Sequence, residues 1–382
     1  MGDHAMKVQP EQTRKLGEPL SVETFTVVSD YSSPTVQWFT EGLTREMLRH
    51  GHEFLEKPAP DIRLVMKVID IANPQPYRRK AQATFVVAIV ELPEPPDEII
   101  PAGYPLLLHA LANVAIFLIH TGDGLEAHFI TMEQGHYTVP LDSGNDTFFA
   151  QIYERVEPLA SSQLVINNVF RTDLEEELWN GDEITEQIKR AGRRLDQMDL
   201  LPAPFPIDKL LKPKELRHVM RLAGIGGLSY GNLSARKDRN RYWMSASGVN
   251  KGKLDVIGKD ILLVSGFDPE TPAMILSVPP DIQPRRVSVD AIEHWMIYQE
   301  HPDVGAILHV HAWMDGIRST EINFPCGTYQ LANAVAELIR QEPDPSRAVI
   351  GLKNHGVTIT GTSMDEIFER VGDKIIPQVP MS

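Results

Sequence analysis

Ala306-Ile307-Leu308-His309-Val310-His311 is the stretch on which the reading of this chain turns. It is an apolar run that ends in His-x-His, and a strand sends residues two apart to the same face. Two imidazoles on one face at a strand end make half of a zinc-type site, whose ligands are neutral ring nitrogens at about 2.0–2.1 Å. A third imidazole is available in Lys353-Asn354-His355-Gly356, between two apolar runs, where the glycine allows a close backbone approach or an unusual φ. Paired strand histidines also serve as plain hydrogen-bonding groups, so both readings stand at this point.

Upstream, Ser288-Val289-Asp290 opens a helical run over residues 289–300. His294 shares a helix face with Asp290, four residues before it. Either Ser288 or Asp290 fits an N-cap with its oxygen toward the helix end, and Asp290 equally fits an acid beside the histidines. Further upstream lie Gly231-Asn232-Leu233-Ser234 and Ser245-Ala246-Ser247-Gly248. Loops of small residues turn backbone N–H groups toward an anion such as phosphate, although each alone also reads as a tight turn.

The regions around these motifs alternate. Residues 233–236, 241–244, 260–264, 274–277, 306–310, 348–351 and 357–360 read as strands. Residues 215–223, 289–300, 329–340 and 363–371 read as helices, giving a three-layer α/β arrangement with a mixed sheet. Before it, Leu-Leu-Pro-Ala-Pro-Phe-Pro at 200–206, followed by Pro213, marks a boundary, because closely spaced prolines do not fit inside a regular element. The N-terminal 200 residues read as an α+β domain. Its strands are expected at 23–28, 62–71, 83–92 and 126–132, and its helices at 36–55, 104–120, 147–159 and 172–198. The expected division is therefore residues 1–200 and 205–382.

With 382 residues, 42% of them apolar and 23% charged, the composition is that of a globular protein of about two domains. The net charge of −15 is unevenly shared: residues 1–200 hold 31 acids and 17 bases, and the remainder 21 and 20. Neither half has the basic surface that nucleic acid requires. The polar start, Met1 to Lys15, does not resemble a signal peptide, and the most apolar stretch, residues 106–119, is too short for a membrane span. A cytoplasmic location is expected, and the single cysteine, Cys326, suits a reducing compartment. Cys326 sits in a Pro-Cys-Gly turn and is not expected to act as a nucleophile. His50 and His52 also form His-x-His, but on an expected helix, where they diverge toward solvent. His294 reads as a structural hydrogen-bonding group, while Arg285 and Arg286, just before Ser288, could meet an anionic substrate but are not expected as site residues.

Taken together, the motifs closely resemble the class II aldolase/adducin family. The resemblance rests on Gly-Asn-Leu-Ser-Ala-Arg (231–236), Met-Ser-Ala-Ser-Gly (244–248), Asp-Ile-Leu-Leu-Val (260–264), and Ser-Val-Asp (288–290) with His294. It continues through residues 301–311, ending in the His-x-His, and Lys-Asn-His-Gly-Val-Thr-Ile-Thr-Gly (353–361). It implies a three-layer α/β/α domain in a homo-oligomer, commonly a tetramer, with a zinc (or other divalent metal) site. By the same resemblance His309, His311 and His355 become metal ligands and Asp290 the acid/base. Asn232, Ser247, Gly248 and Ser288 fall where relatives hold substrate phosphate.

The implied chemistry is an aldolase-type lyase or epimerase working on a small hydroxy-carbonyl compound through a metal-stabilised enediolate. The family also contains the adducin head, so the resemblance implies a non-catalytic metal-binding module as the alternative. Val289, where a second hydroxyl residue is common, and the abbreviated 313–328 segment point toward that alternative.

Overall fold

The computed structural model describes residues 23–80, 84–122, 124–198, 200 and 231–382. The expected proline-rich boundary and the helix at 215–223 lie outside the described residues.

The first half is built on a seven-stranded sheet. Its strands are β1 (Thr24–Ser29), β2 (Glu53–Phe54), β3 (Leu64–Ile69), β4 (Phe85–Leu92), β5 (Val114–Thr121), β6 (Gly124–Thr131) and β7 (His136–Pro140), in the order β2-β1-β3-β4-β5-β6-β7. Pairing is parallel from β2 to β5 and antiparallel from β5 to β7. Helices α1 (Pro34–Arg49) and α3 (Asn145–Ser161) cover one face, and α2 (Ile99–Ala110) covers the other. Strand β5 shows why the sheet must be covered twice. Ile116 and Leu118 point into one core while Ala115, Phe117 and Ile119 point into the other.

That double burial corrects the expected helix at 104–120. A strand buried on both faces is apolar at every position and loses its two-residue period, so it cannot be told from a buried helix by pattern. The helix instead ends at Ala110, with Leu111 in the left-handed region at φ 56, and the chain turns into β5. The helix expected at 36–55 also stops early, at Arg49. Gly51 adopts φ +91 and the chain enters β2. His52 is therefore buried against Tyr153, its Nε2 3.0 Å from the hydroxyl, and does not face solvent as expected.

A nine-stranded sheet forms the second half, in the order β14-β15-β16-β13-β9-β10-β11-β12-β8. Its strands are β8 (Asn167–Arg171), β9 (Gly231–Arg236), β10 (Tyr242–Ser245), β11 (Ile261–Asp268), β12 (Ala273–Ser277), β13 (Ala306–Val310), β14 (Arg318–Ser319), β15 (Val349–Leu352) and β16 (Gly356–Gly361). The sheet is mixed, as expected: β8–β12 and β14–β15 pair parallel and the rest antiparallel. Helices α4 (Glu183–Gln197), α5 (Ala291–Glu300), α6 (Tyr329–Arg340) and α7 (Met364–Val371) pack on it around one continuous core.

The strands are not shared out at residue 200. β8 comes from ahead of the proline-rich stretch and closes the edge beside β12, and α4 packs against β9. The sequence of β8, Asn-Asn-Val-Phe-Arg, is largely exposed and has no strand-like alternation, so no strand was expected there.

Candidate metal centre

β13 lies between β9 and β16, and both neighbours press against its histidine end. His309 stands opposite Asn232 on β9 and Thr358 on β16, so the three side chains form one row on one face. Two glycines make this possible. A Cβ on Gly231 would fall 1.9 Å from the His309 carbonyl oxygen, and one on Gly356 would fall 2.2 Å from that of Val310. Gly356 follows the turn that carries Asn354, at φ 57, and His355 back over the end of β13.

The consequence is convergence of the three imidazoles. One ligand atom from each of His309, His311 and His355 lies within 4.8 Å of the others. The rings of His309 and His355 stack with centroids 5.0 Å apart, and His311 stands edge-on to both at 5.2 and 4.7 Å. His309 Nδ1 sits 3.1 Å from the Val357 carbonyl oxygen, which holds its Nε2 toward His355 Nε2, 3.2 Å away. His311 Nδ1 is buried without a hydrogen-bond partner.

These features fit a divalent cation. Burial, and then the neighbouring histidines, hold His309 well below its ordinary range. Burial and His355 bring His311 to about 3. Both rings are therefore neutral, with lone pairs to offer. Burial also lowers His355, but Cys326 and Glu133 outweigh it and raise that ring well above the usual value. A bound cation would replace the proton that His355 otherwise holds.

Acids surround the cluster. Asp290 takes the N-cap position of α5, but it makes no capping bond and its carboxylate accepts from Asn232 Nδ2 at 2.6 Å. Burial raises its pKa, against the opposing pull of His355 and Asn232. Glu293, one helical turn on, accepts from the Thr358 hydroxyl at 2.5 Å, and burial together with the charge of Asp290 pushes it up to about 8. From the first sheet comes Glu133, in the β6–β7 turn, whose Oε1 lies 3.3 Å from His355 Nδ1. Burial would raise Glu133, but the hydrogen bond and charge of His355 hold it at about 2.

Cys326 Sγ lies 2.9 Å from His355 Nε2, and burial pushes the thiol up to about 12. It is thus inside the cluster, yet protonated and a poor nucleophile.

Sequence reading missed Glu293, Glu133 and the placement of Cys326. Glu293 carried a faint signal, an acid at i+3 from Asp290 on one helix face. Glu133 carried none, because its hairpin belongs to the other sheet.

The remaining expected site residues divide. Asn232 is buried and committed to Asp290. The loop with Ser247 and Gly248 is joined to the segment before Asp290 by the Ala246–Val287 bridge, and by Ser288 N donating to Ser245 O at 3.3 Å. Gly248 is exposed at φ +65, Ser247 is half-buried and Ser288 is buried. His294 Nδ1 bonds to the Ser234 hydroxyl at 2.7 Å, and His294 is not one of the three convergent imidazoles. Arg285 is exposed, 3.9 Å from Asp260.

A family model, Class II Aldolase and Adducin N-terminal domain, matches residues 215–314. The methylthioribulose-1-phosphate dehydratase of Leptospira biflexa serovar Patoc is 30% identical over 159 residues, which span 39% of this chain and 69% of that protein. The chain belongs to the class II aldolase/adducin family. Solved structures similar to this family member include YgbL from Klebsiella pneumoniae, at 16% identity and TM-score 0.33, covering 50% of this chain and 84% of that one. YgbL from Escherichia coli follows at 17% and 0.32, with coverage of 49% and 83%. An aldolase II superfamily protein from Pseudomonas syringae stands at 16% and 0.34, with 52% and 73%. Among the described residues of this class II aldolase/adducin chain, no helix is long and apolar enough to cross a membrane.

Proposed function

We propose that this chain is a divalent-metal-dependent lyase of the class II aldolase type, acting on a small phosphorylated hydroxy-carbonyl compound. The observation behind this reading is the convergence of His309, His311 and His355 within 4.8 Å, beside the buried Asp290 carboxylate. Three imidazoles suit zinc, or a transition ion of similar preference, and leave a coordination position for substrate.

A cation held there would act as a Lewis acid on the substrate carbonyl and stabilise negative charge developing on its oxygen. Asp290 moves the proton in this proposal. Its carboxylate is held by Asn232 and kept away from bulk water, so its position is fixed before substrate arrives. Glu293, bonded to Thr358, supports the neighbouring turn of α5. Ser247, Gly248 and Ser288 are proposed to receive the phosphate through their N–H and hydroxyl groups, with Gly248 at the open side. The dehydratase relative supports elimination next to a carbonyl as the reaction class. The family's ring-forming members support a homo-oligomer as the working unit.

The test is turnover by chelated protein resupplied with Zn²⁺ or Co²⁺, against a panel of ketose phosphates that includes methylthioribulose 1-phosphate. Metal-dependent turnover on at least one, absent in His309→Ala, is expected. Metal-loaded protein inactive on the whole panel would favour the non-catalytic alternative, a metal-binding module of adducin type.

A further inference from the structure

Glu133 of the first sheet reaches the imidazole cluster. β6 and β7 are joined by Met132-Glu133-Gln134-Gly135, and the turn is stiffly built. Thr131 N donates to Gly135 O at 3.0 Å, Gly135 N donates to the Thr131 hydroxyl at 3.2 Å, and Gln134 stands at φ 61. The tip is braced from the other side. A Cβ on Gly135 would fall 2.1 Å from Met381 Cε, so Met381 lies directly on the turn. The next residue, Ser382, clasps Asn354 with two bonds: Asn354 Nδ2 to Ser382 O at 3.0 Å and Ser382 N to Asn354 Oδ1 at 2.9 Å. Asn354 immediately precedes His355. The hairpin tip, residues 381–382 and the histidine turn thus form one continuous contact.

We infer that Glu133 is a positioning residue of the metal centre: it accepts from His355 Nδ1–H and so fixes the tautomer that turns His355 Nε2 toward the site shared with His309 and His311. The inference rests on the metal reading proposed above. A histidine ligand needs its second nitrogen tied down, by a carboxylate or a carbonyl, to set ring orientation and ligand basicity. His309 has such a tie within its own sheet, in the Val357 carbonyl. His355 sits on the turn between β15 and β16; Glu133 Oε1 lies 3.3 Å from its Nδ1, with Cys326 Sγ farther off at 3.6 Å, and supplies the tie from the other sheet. The set of mutually close ligand atoms comprises the three imidazoles and not Glu133, which puts the carboxylate behind His355. The first half of the chain therefore completes the centre, a role that a family domain lacking this half must fill otherwise.

The experiment uses the full chain and four proteins: wild type, Glu133→Gln, Glu133→Asp and, as a control on the same hairpin, Glu126→Gln. Co²⁺ affinity is measured against a competing chelator, and the visible spectrum of each Co²⁺ form and its thermal transition are recorded. Glu133→Gln is expected to weaken Co²⁺ binding about 10–100-fold and to change the visible bands, since outer-shell partners have effects of that size. Glu133→Asp should recover at least part of both, and Glu126→Gln should stay within about twofold of wild type. Glu133→Gln with wild-type affinity and spectrum overturns the inference. Equal loss in the Gln and Asp variants, together with a lowered thermal transition in both, overturns it as well, because that pattern marks a purely structural hairpin. A wild-type chain that binds neither Co²⁺ nor Zn²⁺ overturns the metal reading itself, and is distinguished by being seen before any substitution.

Discussion

Asn232 and Asp290, 58 residues apart in sequence, are joined by a 2.6 Å hydrogen bond from the Asn232 amide to the Asp290 carboxylate. The bond draws the acid away from the helix end it would otherwise cap and aims it at the histidine row of β13. Asn232→Ala removes the donor and leaves a buried carboxylate short of a partner, at a cost of about 1–3 kcal/mol. Its thermal transition should fall accordingly. Activity should drop by more than tenfold while metal content, measured by elemental analysis, stays near wild type.

Metal binding should be visible as stability. An ion that binds only the folded chain adds about 2.7 kcal/mol at a hundred times its dissociation constant. Chelation of wild type should lower the melting temperature, and readdition of Zn²⁺ should restore it. His309→Ala and His355→Ala should melt at the same temperature with or without the ion.

Gly356→Ala should damage the centre without touching a proposed ligand. The added methyl would meet the Val310 carbonyl at 2.2 Å, so β16 must move from β13 or the turn must shift. Overpacking of this kind costs about 1–3 kcal/mol. Because the displaced strand begins next to His355, Co²⁺ affinity should fall along with the melting temperature. Unchanged affinity would show that the turn adjusts on its own.

Acid stability should depend on Asp182, the N-cap of α4. Its carboxylate accepts from Thr185 N at 3.0 Å, from Lys237 Nζ at 2.8 Å and from Trp243 Nε1 at 3.1 Å. Burial raises its pKa, but Lys237, Thr185 and Trp243 together hold it below the ordinary value. The folded chain therefore binds this proton less readily than the unfolded one. The resulting stability is complete above the unfolded pKa of about 3.9 and is lost as pH falls through the folded value. Asp182→Ala should lower stability at neutral pH by about 0.5–2 kcal/mol, in the range of a lost cap, and should flatten the acid limb of a denaturation series.

The second half was largely legible because its signals are local. The strand at Ala306–Val310 and the helix at Tyr329–Arg340 have the expected bounds, since a clean apolar run and a strong 3.6-residue pattern lie between turn residues. His309, His311 and His355 were drawn together from spacing, glycine context and family resemblance, and the fold brings them into one cluster. The first half hid its architecture for the reason seen at β5, where burial on two sides erases periodicity. Glu133 illustrates a different limit. A contact between a hairpin of one sheet and a turn of the other leaves no mark in spacing, because 222 residues separate Glu133 from His355.

Strand β8 bears on any attempt to take this protein apart. The family model matches residues 215–314, yet the strand that seals the β12 edge lies at Asn167–Arg171, before that stretch. Severing the polypeptide at the proline-rich stretch would strip β12 of its neighbour and present an open row of backbone donors and acceptors to other molecules, a recipe for self-association. A soluble excised fragment therefore has to start ahead of Asn167, or else bring a substitute strand with it.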